Sequence, residues 1–191
     1  MPRTQRTPFV ILGLLGHSSH QPRSGYELKK VIDTVVAHFW SESHGQLYPV
    51  LKQLAAEKLI RPVVKKETGR EKILYAITPT GRARLRSWLE TPVEASKPRN
   101  ELILKLFFGG ETDVAVLIRH LEVHREGASA ALDQCLQWQK EATAQSGHDG
   151  PFQLITIRAG IAQCEASLRW AEESLQTLHA MTKTLGKRKT P

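Results

Sequence analysis

Between Ser43 and Leu54 the chain reads SHGQLYPVLKQL. If Leu47 faces a core on a helix of 3.6 residues per turn, Gly45, Pro49, Lys52 and Ala56 face outward, with Gln46, Tyr48 and Gln53 on the flanks. Side-chain amides such as those of Gln46 and Gln53 carry a donor and an acceptor side by side, which suits the base edges of a DNA major groove. Lys52 suits a phosphate, and unpaired backbone amides of a first helical turn near Ser43, His44 and Gly45 suit another. The ring of Pro49 removes a backbone donor but offers a flat apolar surface for a sugar or a thymine methyl. A second basic group, Lys65, Lys66, Arg70 and Lys72, surrounds Thr68-Gly69 and suits phosphates along the backbone or an arginine in the minor groove. Solvated helix faces and lysines that guard a strand edge have the same composition, so those readings stay open at this point.

Other chemistries leave no pattern. His120 and His124 have the i, i+4 spacing of a chelating pair, but HLEVH lacks a third ligand and is not HExxH, so no metal is expected. Cys135 and Cys164 form no CxxC and are expected to be reduced and partly buried. No nucleophile stands with a base, no glycine loop is built for phosphate, and no carboxylate pair has a role, which argues against an enzyme or a bound cofactor. The tryptophans at 40 and 88 read as core anchors, and those at 138 and 170 belong to long helices; Trp88 or Trp138 could alternatively line a pocket for a flat aromatic effector.

Charge divides the chain. Residues 1 to 90 hold 15 Lys and Arg against 7 Asp and Glu, whereas residues 91 to 191 hold 12 of each, so the whole net charge of +8 lies in the first half. A basic N-terminal module meeting a polyanion and a neutral C-terminal module with another task follow from this. No run approaches the ~18 apolar residues of a membrane span, and a cytoplasmic protein is expected.

The elements that must position these groups follow from caps and periodicity. Thr7-Pro8 reads as a cap with proline in the first turn, opening the apolar helix FVILGLLG. Ser24-Gly25-Tyr26-Glu27 is a capping box for a second helix with Tyr26, Leu28, Val31, Ile32, Val35 and Val36 as its apolar stripe. Ser43-x-x-Gln46 is another, opening a third helix that buries Leu47, Val50, Leu51 and Leu54. Period-two spacing on both sides of Glu67-Thr68-Gly69-Arg70-Glu71 predicts a β-hairpin, and Thr78-Pro79 opens a fourth helix with Leu85, Trp88 and Leu89 on one side. Three helices, a hairpin and a helix are the plan of a winged helix-turn-helix domain, residues 1 to 91. The fold class expected is mainly α with one β-hairpin (α+β).

Two prolines, Pro92 and Pro98, mark residues 92 to 99 as a linker. Beyond it, residues 100 to 185 read as a helical dimerisation domain, followed by a basic tail, 186 to 191. Leu102, Leu106, Phe107 and Phe108 lie in a short helix that is apolar all round and needs a cover. Leu117 and Leu121 on one long helix, and Ile161, Leu168, Leu175 and Leu178 on the next, recur on alternating three- and four-residue steps, a seam for helix-on-helix packing. One chain supplies too few helices to cover these surfaces, so a second copy is expected at all ten positions.

The series GYELKKVI at 25 to 32, HFWSESHGQLYPVLKQLAAEKLI at 38 to 60 and LYAITPTGRARLRSWL at 74 to 89 resembles the PadR family of bacterial transcriptional regulators. KLFFGG at 105 to 110 and the long helices after it resemble the C-terminal domain of its larger members. The resemblance implies a homodimer, usually a repressor, on a pseudo-palindromic operator, with phenolic acids or planar drugs as effectors of some members. This chain has Lys58 before Leu59 where the family commonly has glycine. The alternative is a winged-helix adaptor that binds protein rather than DNA.

Overall fold

A computed structural model describes residues 6–17, 21–36, 39–40, 47–67, 70–94, 99–144 and 150–187. The chain divides into two units, Met1–Glu94 and Ala95–Pro191.

In the first unit α1 spans Thr7–Gly16, with Pro8 in its first turn and Ile11, Leu12 and Leu15 buried. It starts one residue earlier than the Thr7 cap implied: Arg6 occupies the cap position and makes no side-chain cap bond. The capping box does open α2, Gly25–Thr34; Ser24 Oγ accepts from Glu27 N–H and the Glu27 carboxylate accepts from Ser24 N–H. Its stripe is narrower than expected. Leu28 is buried, but Tyr26 is 72% exposed and Val35 also faces solvent, because a ten-residue helix packed on one side buries one stripe only.

Next, α3 spans Leu47–Ala56 and buries Leu47, Val50, Leu51 and Leu54. Lys58 ends it in the left-handed region, φ 57°, with Lys58 N–H donating to Ala55 C=O and Leu59 N–H to Leu54 C=O. That pair of bonds is the Schellman motif, which favours glycine at the left-handed position. Thus the residue standing where glycine is common carries the backbone strain that glycine avoids.

β2, Ile60–Glu67, and β3, Arg70–Ile77, form the hairpin, from Ile60 opposite Ile77 to Glu67 opposite Arg70. A short β1, Arg23–Ser24, pairs antiparallel with β3 and completes a three-stranded sheet of order β1-β3-β2. This third strand is an addition to the expected hairpin; two residues hold too little pattern to signal pairing. Thr78 caps α4, Pro79–Leu89, by accepting from Gly81 N–H, while its hydroxyl donates to the Lys58 or Leu59 carbonyl. A Cβ on Gly81 would lie 2.1 Å from the Leu59 carbonyl oxygen, so only glycine lets α4 start this close to the end of α3.

Ile11, Leu12, Leu28, Leu51, Leu54 and Ile60 are buried at the centre of this unit, with Tyr75, Ile77 and Leu85 packed against them. Phe9 of α1 stacks on Trp88 of α4, centroids 4.7 Å apart, and Trp40 is half-buried under the Arg6 guanidinium.

In the second unit Asn100 caps α5, Glu101–Phe107, by accepting from Ile103 N–H; a 3-10 turn, Gly109–Glu111, follows. Gly109 admits Leu117 so closely that a Cβ there would meet its Cδ1 at 2.6 Å. Two long helices, α6 (Val114–Ala144) and α7 (Gly150–Lys187), pack against each other along the expected seam. Leu117, Leu121, Cys135, Ala142, Ala171 and Leu175 are buried along it. Cys135 and Cys164 meet there as free thiols; burial, then the neighbouring Cys135, pushes the Cys164 thiol up, away from the reactive thiolate.

Candidate nucleic-acid interface

The outer side of α3 carries Tyr48, Pro49, Lys52 and Gln53, all exposed, opposite its three buried leucines and one buried valine. Tyr48 is seated by its neighbour: a Cβ on Gly25 would fall 2.9 Å from Tyr48 Cε1, so the bare backbone at the start of α2 makes room for the ring. Lys29 of α2 is exposed, and its hydrogen-bonded partner one turn on, Asp33, holds its pKa up. Tyr26, next to the Gly25 that seats Tyr48, and Lys29 are both exposed on α2. Neither was among the sequence candidates, because Tyr26 falls on the apolar period and its exposure depends on where α2 packs.

Gln53 donates its amide to Glu57 Oε1 at 2.8 Å, so base reading by Gln53 requires exchange of that bond. Ser43, His44, Gly45 and Gln46, and with them the capping box and the carbonyl opposite the missing Pro49 donor, lie outside the described residues.

On the hairpin, Lys65 stands opposite Lys72, Lys66 opposite Glu71 and Arg70 opposite Glu67. Lys65 and Lys72 are exposed. Lys72 differs from the expected phosphate contact: its ammonium is 2.9 Å from Glu27 Oε1. Bonds from Ser24 N–H and from Lys72 hold the Glu27 carboxyl down at about 2. The two residues are 45 positions apart, and their meeting follows from β1 laying the start of α2 beside β3.

Of the effector candidates, Trp88 belongs to the first unit and stacks on Phe9, and Trp138 is half-buried on α6 of the second. An open cavity of about 400 Å³ lies between α5 and α6, where Leu104, Phe108, Val116 and Leu117 are joined by Lys105 and His120. Lys105 is paired with Glu101. His124 Nε2 and Ser167 Oγ are 2.7 Å apart across α6 and α7, with Trp170 edge-on to the imidazole, so its place in the helix seam explains that histidine. Among the described residues no group of three metal-ligating side chains gathers, and no helix is long and apolar enough to cross a membrane.

Of the dimerisation candidates, Leu117, Leu121 and Leu175 are already covered by the chain's own helices, because α6 and α7 pair within one copy. They have almost no surface left to offer. Leu102, Leu106, Ile161, Leu168 and Leu178 are half-buried, while Phe107 is 79% and Phe108 58% exposed, beside exposed Ile103 and Leu104.

Residues 11–87 match the family described as "Transcriptional regulator PadR-like family", and residues 98–179 match "Virulence activator alpha C-term". "Probable transcriptional regulator Rv1176c" of Mycobacterium tuberculosis is 29% identical over 172 residues, 83% of this chain and 91% of that one. "Negative transcriptional regulator PadR" of Bacillus subtilis is 34% identical over 104 residues, 52% of this chain and 54% of that one. Its structure in complex with operator DNA superposes with a TM-score of 0.78 at 23% identity, covering 91% of this chain and 99% of that chain; it has also been solved with p-coumaric acid. A PadR-like transcriptional regulator from Bacillus cereus superposes with a TM-score of 0.76 at 26% identity, covering 92% and 99%. The fold is a winged helix followed by a helical C-terminal region, and residues 11–87 form a domain of the PadR-like family of transcriptional regulators. The relatives it matches are transcriptional regulators, not enzymes.

Proposed function

We propose that the protein is a homodimeric repressor that binds an inverted-repeat operator through α3 and the hairpin. The observation that carries this reading is the exposed side of α3, Tyr48-Pro49-Lys52-Gln53, backed by a buried side that fixes its orientation and set in a fold shared with a regulator solved on operator DNA. In it α3 enters the major groove with Gln46 and Gln53 at base edges. Lys52, Lys65, Lys66 and Arg70 contact phosphates, joined by the amides near Ser43, His44 and Gly45. Two copies place their α3 helices about 34 to 36 Å apart, one helical turn of DNA.

The exposed apolar group on α5, with Phe107 and Phe108 at its centre, is the surface the second copy covers. Repression fits the name of the Bacillus subtilis relative. Relief by a small aromatic acid fits its complex with p-coumaric acid, and in this chain the cavity between α5 and α6, apolar with a lysine and a histidine at hand, suits such a ligand better than Trp88 does.

The test is operator selection from genomic fragments followed by anisotropy titration across salt. The expected result is an inverted repeat bound with log K falling by roughly 0.9 per phosphate neutralised. Affinity that ignores salt, or fragments without a repeat, would favour the adaptor reading. Gln46→Ala should relax preference at one base pair, and Lys52→Ala should weaken all sequences alike.

A further inference from the structure

Lys65 and Lys72 stand directly opposite one another in the hairpin. Like charges in that position push a strand pair apart unless something neutralises them. The carboxylate of Glu27 arrives from α2 to do so. Its Oε1 accepts from Lys72 Nζ at 2.9 Å, and its Oε2 accepts from Ser24 N–H at 2.7 Å and from the Ser24 hydroxyl at 2.9 Å. Ser24 is the end of β1 and pairs with Leu74 of β3, two residues beyond Lys72. One carboxylate therefore closes a ring through β1, the first turn of α2 and β3. That first turn also carries Gly25, on which Tyr48 of α3 is seated.

We infer that Glu27 is a positioning residue for DNA binding: it withdraws Lys72 from the phosphate contacts and uses it to fix the hairpin against α2, beside the outer face of α3. This rests on the DNA-binding reading above. Ion pairs between half-exposed groups are individually weak, but this one is part of a hydrogen-bonded network that sets an angle between two contact surfaces. Its loss is read as misplacement of the hairpin rather than as one fewer neutralised phosphate.

The experiment is the salt titration on the selected operator with the wild-type chain, Glu27→Gln, Lys72→Met, the double variant and Lys72→Arg. Glutamine keeps a carbonyl oxygen for Ser24 N–H, so the helix cap survives; melting curves check each variant for folding. Glu27→Gln and Lys72→Met are each expected to weaken binding about fivefold, the double variant no more than either alone, and Lys72→Arg to bind as wild type. The slope of log K against log salt should stay at the wild-type value in all of them, whereas Lys52→Ala should lower its magnitude by roughly 0.9.

If Lys72 instead touches a phosphate, Lys72→Met lowers the slope by that amount and Glu27→Gln tightens binding by removing a negative charge; either result overturns the inference while leaving DNA binding intact. A wild-type chain without salt-dependent binding overturns the functional reading itself. Amide exchange over residues 71–74 gives a second readout independent of DNA. It should be faster in both single variants and not additive in the double, and unchanged exchange would overturn the tie.

Discussion

The two units bury their apolar residues to different depths. In the first, Ile11, Leu12, Leu28, Leu51, Leu54 and Ile60 have lost essentially all contact with solvent. In the second, Leu121 is the large side chain in that condition among the described residues, and Cys135, Ala142 and Ala171 supply much of the rest of the seam. The reason is geometric. Helices packed on one another and on a small sheet enclose a centre, whereas two helices side by side bury one stripe each and leave the remainder wet. Phe107, Phe108, Phe152 and Ile155 are exposed in the second unit, each forgoing about 1.5 to 3 kcal/mol of burial. The first unit thus encloses its core within one copy, whereas the second leaves apolar surface that the proposed dimer would cover.

The largest test of that contrast is Gly81→Ala. With a Cβ 2.1 Å from a backbone oxygen, the first unit should lose about 3 kcal/mol or more in denaturant unfolding, while the transition of the second unit stays put. A shared shift would mean that the units do not fold separately. Next, Phe107→Ser combined with Phe108→Ser should raise the dimer dissociation constant about 100-fold in sedimentation equilibrium and leave the first unit's melting unchanged. If the wild-type chain is already monomeric, the second unit is self-sufficient and the contrast fails.

Acid should act more on the first unit, although the hydrogen-bonded Lys105 also holds the exposed Glu101 carboxyl of the second unit down. The Glu27 carboxyl titrates at about 2 in the folded chain against 4.5 for the ordinary group. Its contribution is fully present above pH 4.5 and is lost as pH falls from there through 2. After allowance for solvent screening of a half-exposed pair, roughly 1 kcal/mol should disappear over that range in thermal unfolding, and Glu27→Gln should flatten the profile. The smallest effect is a gain. Lys58→Gly relieves a left-handed residue and should stabilise the first unit by about 0.5 kcal/mol, the benefit being reduced by the freer unfolded chain. No gain would show that the backbone at Lys58 is held there without cost.

What the sequence determined by itself is local. Ser24 and Glu27 announce the start of α2, Thr78 and Pro79 the start of α4, and the three-four spacing of Leu117, Leu121, Leu168 and Leu175 the seam between α6 and α7. A cap needs groups within one turn and a stripe needs only the helical period, so both are written in adjacent residues. The same locality made the winged-helix plan and the outer side of α3 legible.

Tertiary structure decided which partners those groups have. The seam is filled by the chain's own second helix, so Leu117, Leu121 and Leu175 are used up before another copy arrives. Tyr26 sits on an apolar period yet faces solvent, Trp88 gives its ring to Phe9, and Lys72 is bound to a glutamate 45 residues away. Pattern assigns a residue to a face, but what lies opposite that face depends on which distant segments meet. Here a two-residue strand, Arg23–Ser24, brings the capping glutamate of α2 within reach of the hairpin.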